Sequence, residues 1–535
     1  DTRRYAMPVS AYAPYGAGGI IIRVESDIRR GIPGIDITGL AEGAVREARE
    51  RVRAGFRNSG FAFPQDRLLI NLAPAGVRKD GAALDLPIAL SVMAAAGIVP
   101  APENIMVMGE LELSGRVRPV RGVLAAVAAG LAAGIRDFIV PAENAPEAAI
   151  LAAGRFTAAA TLAEAAHALV IRARTGSLPV SDCAPGSEAL PPFAGDFADV
   201  RGQCRYKRAL EIAAAGGHNL LVFGPPGAGK TLLARRLPSI MPPLCTEEAV
   251  EVTRLHSLAG RPHPAGQEGE TGEGLIVRPP FRAPHHSASA EGMLGGGRSM
   301  RPGEISLAHL GVLFLDEAPE FRVNVLQALR EPLEDRVVTI VRAEGPVRFP
   351  ADFQLVLAAN ACPCGRLGGL RAGGAAENGG AECCCGPEEI RRYWRKFGAA
   401  LLDRVELRTA VTPPTADEMG GAPAEGSEAV ARRVLGAVEI ERDRFRAFPV
   451  PCRRNARIPA GLVERCCPLS DRAMAAFRKA AARLGISGRA FHGILRVART
   501  IADLEAKDTI DTVHILEAIQ HRRQGEDPYD ILSPE

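Results

Sequence analysis

The sequence contains little lysine and no long apolar run. Lysine occurs only at positions 79, 207, 230, 396, 479 and 507, and the other basic residues are almost all arginine. Arginine suits bidentate contact with phosphate, but a GC-rich genome would give the same bias, and we favour that explanation. No run of about 18 apolar residues is present, so the sequence indicates no membrane span.

An export pattern is also missing from the start of the chain, which does not open with a basic and then an apolar segment. The first residue is Asp1 rather than Met, so we expect the natural start to lie upstream. Eleven cysteines in such a chain predict reduced thiols or a metal site in the cytoplasm rather than disulfides.

The overall composition is that of a globular protein. The net charge is +3, hydrophobic residues make up 47% and charged residues 24%. A chain of 535 residues is too long for a single core, so we expect about two to four domains.

A glycine-rich turn follows the apolar run 220–223 and leads into a helical pattern. The spacing G-x-x-x-x-G-K-T predicts a phosphate-binding loop, in which backbone N–H groups and the lysine hold phosphate oxygens and the threonine ligates Mg²⁺. ATP and Mg²⁺ are the expected cofactors. The loop consists of Gly224, Pro225, Pro226, Gly227, Ala228, Gly229, Lys230 and Thr231.

Two further apolar strands end in polar side chains that complete such a site. The run 312–315 leads to Asp316, which we expect to hold the Mg²⁺ shell, and to Glu317, which we expect to polarise a water for attack on the γ-phosphate. The run 353–359 leads to Asn360, which either orients that water or merely caps the strand; we favour the first.

The region before this loop predicts an α/β domain. Strands are expected at 19–27, 31–39, 67–72 and 138–140, helices at 44–59, 84–96 and 124–133, and a hairpin over 107–120. A Pro-, Gly- and Ser-rich stretch follows at 173–194 and reads as a linker, and a similar stretch at 413–427 reads as a hinge. Beyond it, helices are expected at 431–445, 471–484, 490–505 and 512–522.

The motif 79–83 and the segment 109–122 resemble the proteolytic domain of Lon-type proteases. The resemblance places Ala83 where that family has its nucleophilic serine and Leu124 where it has the partner lysine. Alanine cannot attack a carbonyl and leucine cannot act as a base, so we expect no proteolysis by this dyad. A scaffold or assembly surface is the expected role of the domain.

The segments 199–231, 278–289 and 303–309 resemble the magnesium-chelatase-like branch of the AAA+ ATPases, and the chain from 1 to about 525 is similar to the ComM/YifB family. The resemblance implies a Lon-like α/β domain at 1–172, an AAA+ P-loop core at 195–412 and a helical lid at 428–525. It also implies that Arg404 is an arginine finger for a neighbouring subunit and that Arg489 is the lid arginine that senses nucleotide. His285 and His286 could be metal ligands, but adjacent side chains diverge, and the resemblance favours a loop that faces nucleotide or nucleic acid.

A second possible metal site lies just after Asn360. Two C-x-C pairs about twenty residues apart could supply four thiolates to a tetrahedral Zn²⁺. The ligands would be Cys362, Cys364, Cys383 and Cys385; the alternative is a set of reduced surface thiols.

Two inserts carry candidate DNA contacts. The segment 336–349 predicts a hairpin with Arg342 near its turn, and the insert 274–303 carries Arg282. In the AAA+ branch that the chain resembles, such inserts project into the pore of a ring, where arginines can hold phosphates without reading sequence. For each arginine, a solvated salt bridge is an equally good alternative.

The resemblance therefore implies a hexameric ATPase that moves single-stranded or branched DNA, a helicase or branch-migration factor in natural transformation or recombination. The alternative is a magnesium-chelatase-type subunit that energises metal insertion by a partner enzyme. The Lon-like domain, which does not belong to the pattern of that subunit, favours the first function.

Overall fold

The computed structural model describes residues 4–5, 8–39, 43–75, 79, 82–151, 153–181, 195–260, 274–297, 300–342, 345–367, 383–420, 425–446, 448 and 452–523. Within these ranges no helix is both long and apolar enough to cross a bilayer. The predicted α/β fold is confirmed, with parallel sheets followed by C-terminal helices.

The N-terminal domain is an eight-stranded mixed sheet with helices. Its sheet runs in the order β10-β9-β6-β2-β3-β5-β4, with β1 on β3. The elements are β1 Arg4–Tyr5, β2 Val9–Ala13, β3 Ile20–Arg29, β4 Gly34–Thr38, α1 Gly43–Asn58, β5 Arg67–Ala73, α2 Asp85–Ala95, β6 Ile105–Val107, β7 Glu110–Leu111, β8 Val117–Arg118, α3 Val123–Ala132, β9 Asp137–Pro141, α4 Ala145–Ala149, β10 Arg155–Ala159 and α5 Leu162–Thr175.

The central domain contains a five-stranded parallel sheet in the order β12-β15-β18-β11-β19. Its elements are α6 Cys204–Gly216, β11 Leu220–Phe223, α7 Lys230–Ala234, α8 Thr246–Ala259, β12 Phe281–Arg282, α9 Ala290–Leu294, β13 Gly295–Gly296, β14 Arg301–Pro302, α10 Glu304–Leu307, β15 Val312–Leu315, α11 Val323–Ala328, α12 Arg330–Asp335, β16 Val337–Arg342, β17 Gly345–Pro350, β18 Gln354–Ala359, α13 Pro387–Arg395, α14 Ala399–Leu402, β19 Leu407–Ala410 and α15 Ala416–Gly420.

Five helices form the lid: α16 Ser427–Arg446, α17 Val463–Cys466, α18 Asp471–Leu484, α19 Gly488–Leu504 and α20 Thr512–Arg523. The predicted linker starts inside α5, the predicted hinge contains α15, and their segments 182–194 and 421–424 lie outside the described residues.

The central sheet is covered on both faces, which explains why β11 and β15 are apolar throughout. Leu220 and Val222 enter a core that they share with α6 and the lid helices. Leu221 and Phe223 enter a second core with α11 and α13. The lid therefore packs on one face of the sheet and leaves the ends of the strands accessible.

The N-terminal domain packs on α8 of the central domain. Leu258 belongs to the same buried cluster as Tyr12 and Val123. Nearby, the hydroxyl of Ser257 donates a hydrogen bond to the carboxylate of Glu147. The two domains thus share a buried boundary as well as a chain connection.

The predicted hairpin is present as β16 and β17, which pair antiparallel with Arg342 opposite Gly345. Its base is anchored, because Val347 and Phe349 are buried in a cluster with Leu255. Near the turn, Val341 is 77% exposed and Arg342 is also exposed. The hairpin therefore exposes Val341 and Arg342 to solvent above an anchored base, while residues 343–344 lie outside the described residues.

Arg282 does not fit its predicted role as a DNA contact. It lies in β12 next to β15 and is only 5% exposed. Its Nε and Nη2 atoms donate to the two carboxylate oxygens of Glu304 at 2.7 and 2.8 Å. This bidentate pair fixes the start of α10 to the sheet and leaves the guanidinium unavailable to a phosphate backbone, which corrects the prediction.

We expect Arg282→Ala to destabilise the central domain, because it removes the bidentate ion pair with the mostly buried carboxylate of Glu304, at a cost of about 3–5 kcal/mol. Thermal unfolding should show a lower melting temperature. Arg342→Ala removes an exposed arginine and is the matched control, with an unchanged melting temperature. Equal melting temperatures for the two variants would contradict the structural role of Arg282.

Candidate nucleotide site

Three neighbouring strands bring the predicted nucleotide-binding residues to one edge of the central sheet. Asp316 follows β15, Asn360 follows β18 and Gly224 follows β11, and these strands are adjacent and parallel. The carboxyl ends of such strands are where α/β sheets bind ligands. The structure thus brings together the residues that the sequence predicts at this edge.

The glycine-rich loop is packed tightly at its start. A Cβ on Gly224 would lie 2.2 Å from the carbonyl oxygen of Val411, so only glycine fits there. Tyr206, a fully buried residue of α6, donates from its hydroxyl to the carbonyl oxygen of Lys230 at 3.1 Å. This hydrogen bond was not predicted from the sequence, because a single tyrosine in the preceding helix carries no distinctive pattern.

Lys230 is buried among neutral oxygens. Its Nζ donates to the carbonyl oxygens of Gly224 at 2.7 Å and Pro225 at 2.9 Å, and to Oδ1 of Asn360 at 3.1 Å. Burial lowers the pKa of Lys230, although the charges of Asp316 and Glu317 oppose that shift. An ammonium group held in this way fits an anionic ligand such as a phosphate, which would compensate its charge.

The donor set for Mg²⁺ is also assembled. The hydroxyl of Thr231 donates to Oδ2 of Asp316 at 2.7 Å. A hydroxyl and a carboxylate oxygen side by side are ligands that Mg²⁺ accepts. The residues therefore fit the metal that the loop requires.

Glu317 has a left-handed backbone, with φ at 48°. Such a conformation costs a non-glycine residue on the order of 1–3 kcal/mol and concentrates at functional sites. The Glu317 side chain is 61% exposed, and Nδ1 of His286 lies 3.8 Å from its Oε2. The turn thus presents the carboxylate at the open edge, next to a histidine from the loop after β12.

Arg404 and Arg489 lie together, away from the phosphate loop of their own chain. Both contact Oε1 of Glu334, at 2.5 and 2.7 Å. Arg404 precedes β19, and its carbonyl oxygen accepts from Asn219, which precedes β11. The backbone of Arg404 therefore lies at the amino edge of the sheet, and the four-residue strand β11, about 13 Å long, runs from that edge to the phosphate loop. The nucleotide-sensing role of Arg489 stays a prediction, and its partners within the chain are Glu334 and Asp403.

The four cysteines of the predicted metal site are clustered. The sulfur atoms of Cys362, Cys364, Cys383 and Cys385 all lie within 4.8 Å of one another. The segment 368–382 between the two pairs lies outside the described residues. Two thiol pairs separated in sequence thus converge on one point.

Family comparisons cover all three domains. Residues 196–419 match the family described as magnesium chelatase, subunit ChlI. Residues 24–144 match the family described as subunit ChlI of Mg-chelatase, and residues 424–522 match the C-terminal family of the same subunit.

Individual relatives match nearly the whole chain. Uncharacterised protein Rv2897c of Mycobacterium tuberculosis is 40% identical over 95% of this chain and 97% of its own length. Competence protein ComM of Haemophilus influenzae is 38% identical over 96% of this chain and 97% of its own. Uncharacterised protein YifB of Escherichia coli is 37% identical over 96% of each.

The Lon protease of Salinispora arenicola is 27% identical over 28% of this chain and 20% of its own length, a similarity limited to one part of each protein. The relatives that match nearly the full length carry more weight. Together with the three family matches, they show that the chain belongs to the ComM/YifB family of AAA+ ATPases of the magnesium chelatase type.

Proposed function

We propose that this ATPase is a ring-forming motor that acts on DNA in the cytoplasm. The observation that supports ATP hydrolysis most directly is the contact network of Lys230, Thr231, Asp316 and Asn360 at one sheet edge. In this proposal Lys230 binds the β- and γ-phosphates, Glu317 orients and deprotonates the attacking water, and Asn360 helps to hold that water. Bound Mg²⁺, held by Thr231 and Asp316, would neutralise phosphate charge.

The position of the two arginines supports the proposal of a homo-oligomer. Arg404 precedes β19 at the amino edge of the sheet and Arg489 lies beside it on Glu334, which favours a phosphate of a neighbouring copy as their ligand. A closed ring repeats this contact at every interface, and the family resemblance suggests six copies. In the single chain Glu334 holds both arginines, and binding of the neighbour would require Arg404 to exchange that carboxylate for a phosphate.

DNA is the partner we propose for the hairpin tip. Arg342 is exposed at the end of β16, and Arg348 is exposed on the opposite strand. Exposed arginines on a hairpin whose base is anchored can contact phosphates without reading bases. The Haemophilus relative is named a competence protein, which favours a role in natural transformation or recombination, as a helicase or branch-migration factor on single-stranded or branched DNA.

A structural Zn²⁺ is the third cofactor we propose. Thiolates from two C-x-C pairs within 4.8 Å of one another match the donor type and number of a structural zinc site.

A chelatase-type role is the second candidate, because the family matches are all to the magnesium chelatase subunit ChlI. ATPase rates with single-stranded, duplex and branched DNA distinguish the two candidates. Stimulation by DNA supports the motor, whereas no stimulation by any of the three favours the chelatase-type role. We propose no proteolysis in either case, since alanine stands at position 83.

We expect Lys230→Ala to abolish ATP binding and Glu317→Gln to preserve binding but to lower the rate of hydrolysis about 10²–10⁴-fold, the usual contribution of a general base. Nucleotide affinity and phosphate release measure the two steps separately. Glu320→Gln removes a nearby carboxylate three positions away and should leave both unchanged. Hydrolysis by Glu317→Gln at the wild-type rate would contradict the assigned role.

Arg404→Ala should lower ATP hydrolysis about 10³–10⁵-fold, because an arginine finger stabilises transition-state charge. Mixing Arg404→Ala chains with Lys230→Ala chains should restore part of the activity, since some interfaces then combine an intact loop with an intact arginine. A mixture with chains that carry both substitutions is the control and should stay inactive. Failure of the first mixture to regain activity, in oligomers verified by size, would contradict action on a neighbour.

Arg342→Ala should weaken DNA binding and reduce the slope of log affinity against log salt by about one unit for each phosphate that the variant no longer binds. DNA-independent ATP hydrolysis should be unaffected, because Arg342 is not among the residues assigned to the nucleotide site. Arg478→Ala, which removes an exposed arginine of α18, is the matched control. An unchanged salt slope for Arg342→Ala would rule out this role of Arg342.

A further inference from the structure

The four-cysteine cluster joins two elements that build the nucleotide site. Cys362 comes two residues after Asn360, at the end of β18, and Cys385 comes two residues before Pro387, the first residue of α13. Cys362 is fully buried, whereas Cys384 is exposed and lies outside the cluster. An ion bound there would tie the end of β18 to the start of α13.

The spacing of the sulfur atoms fits a tetrahedral zinc centre. The sulfur of Cys362 lies 3.3 Å from that of Cys364 and 3.6 Å from that of Cys383, and Cys364 and Cys383 are also 3.6 Å apart. Zn–S bonds of about 2.3 Å would place neighbouring sulfurs about 3.8 Å apart. Disulfides need about 2.05 Å, and all four cysteines are free.

The first ligand pair also lies directly against the phosphate loop. The backbone turns between Cys362 and Gly365, whose N–H donates to the carbonyl oxygen of Cys362 at 3.0 Å. Gly365 has φ at 77°, and a Cβ on it would lie 3.2 Å from Cδ of Pro226. The turn at residues 362–365 therefore packs against Pro226 in the loop that is expected to hold the phosphates.

The helix on the other side of the cluster contacts the same site. In α13, Nε1 of Trp394 donates to the carbonyl oxygen of Ala361 at 3.1 Å. The Trp394 ring packs edge-on against Phe223, the last residue of β11, with 5.5 Å between the ring centroids. The two residues that follow Asn360 are therefore both anchored: Ala361 by its hydrogen bond to Trp394 of α13, and Cys362 by its place in the cysteine cluster.

We infer that zinc at this cluster positions Asn360 against Lys230 and Pro226 against the nucleotide, so that metal occupancy sets the rate of ATP turnover. The inference rests on the proposed ATPase site and zinc centre. The cysteines are positioning residues that touch no nucleotide. Removal of the ion frees the segment that carries Asn360, and a displacement of a catalytic group by about 1 Å can cost on the order of 100-fold in rate.

The test compares the full-length wild type with Cys362→Ser, Cys385→His and the matched control Cys384→Ser. Elemental analysis of protein purified without chelator should find about one zinc per chain in the wild type, in Cys384→Ser and in Cys385→His, which keeps a zinc-binding side chain. Cys362→Ser should lose the zinc. Replacement by Co²⁺ should give the visible absorption of a tetrahedral thiolate site in wild type and Cys384→Ser.

ATP turnover and the affinity for a fluorescent ADP analogue are then measured on the same samples. Cys362→Ser and wild type stripped of zinc should both turn over ATP at least about tenfold more slowly, because catalytic groups are then misplaced. Added zinc should restore turnover in the stripped wild type but not in Cys362→Ser. Circular dichroism controls for folding, and the stripped wild type provides a test that does not depend on how Cys362→Ser folds.

The outcomes separate the two proposals. Wild type that holds no zinc but is folded and active overturns both the zinc centre and this inference. Zinc-free protein with wild-type turnover and ADP affinity overturns the positioning inference alone. Wild type that holds zinc and binds ADP but hydrolyses no ATP contradicts the proposed ATP hydrolysis. In that case a lower ADP affinity after removal of zinc supports the positioning inference, and an unchanged ADP affinity overturns it.

Discussion

Parallel pairing of β15, β18 and β11 is the interaction on which the nucleotide site depends. The register places Leu315 beside Leu357 and Phe223 beside Ala359, so the three strands end within a few residues of one another. Alternate residues of β11 enter different cores, and a slip by one residue would exchange them, which fixes the register. Asp316, Asn360 and the phosphate loop meet because their strands end together.

Local patterns predicted about half of the elements, including the strands of the nucleotide site, whereas helices such as α5 and α8 were not predicted. The helix expected at 471–484 has those bounds in the structure, because Ser470 caps its first turn by accepting from the N–H of Ala473. The helix expected at 44–59 is α1, one residue earlier at each end. Strands β2 and β10 were missed, since five residues with alanines carry little periodic signal. The phosphate-loop spacing and the strand ends also located the residues of the nucleotide site.

The arginines could not be interpreted in this way, because their partners are distant in sequence. Glu304 lies 22 residues after Arg282, and Glu334 lies 155 residues before Arg489. A two-residue strand such as β12 has no periodicity from which the burial of Arg282 could be read. The same limit applies to Glu317, whose left-handed backbone is a consequence of the turn that follows β15 and not of its residue type.

Glu147 lies at the boundary between the Lon-like domain and helix α8 of the central domain. Its Oε1 accepts from the N–H of Leu124, the position where Lon-type proteases have lysine, and from the hydroxyl of Ser257 in α8. Burial raises the pKa of Glu147, and these hydrogen bonds oppose the shift. Leu258 of the same helix packs into the Lon-like domain, and Leu255 packs on the base of the β16–β17 hairpin. Position 124 thus adjoins an interaction that holds α8, and α8 in turn packs on the base of the hairpin, so packing connects the Lon-like domain to the ATPase core.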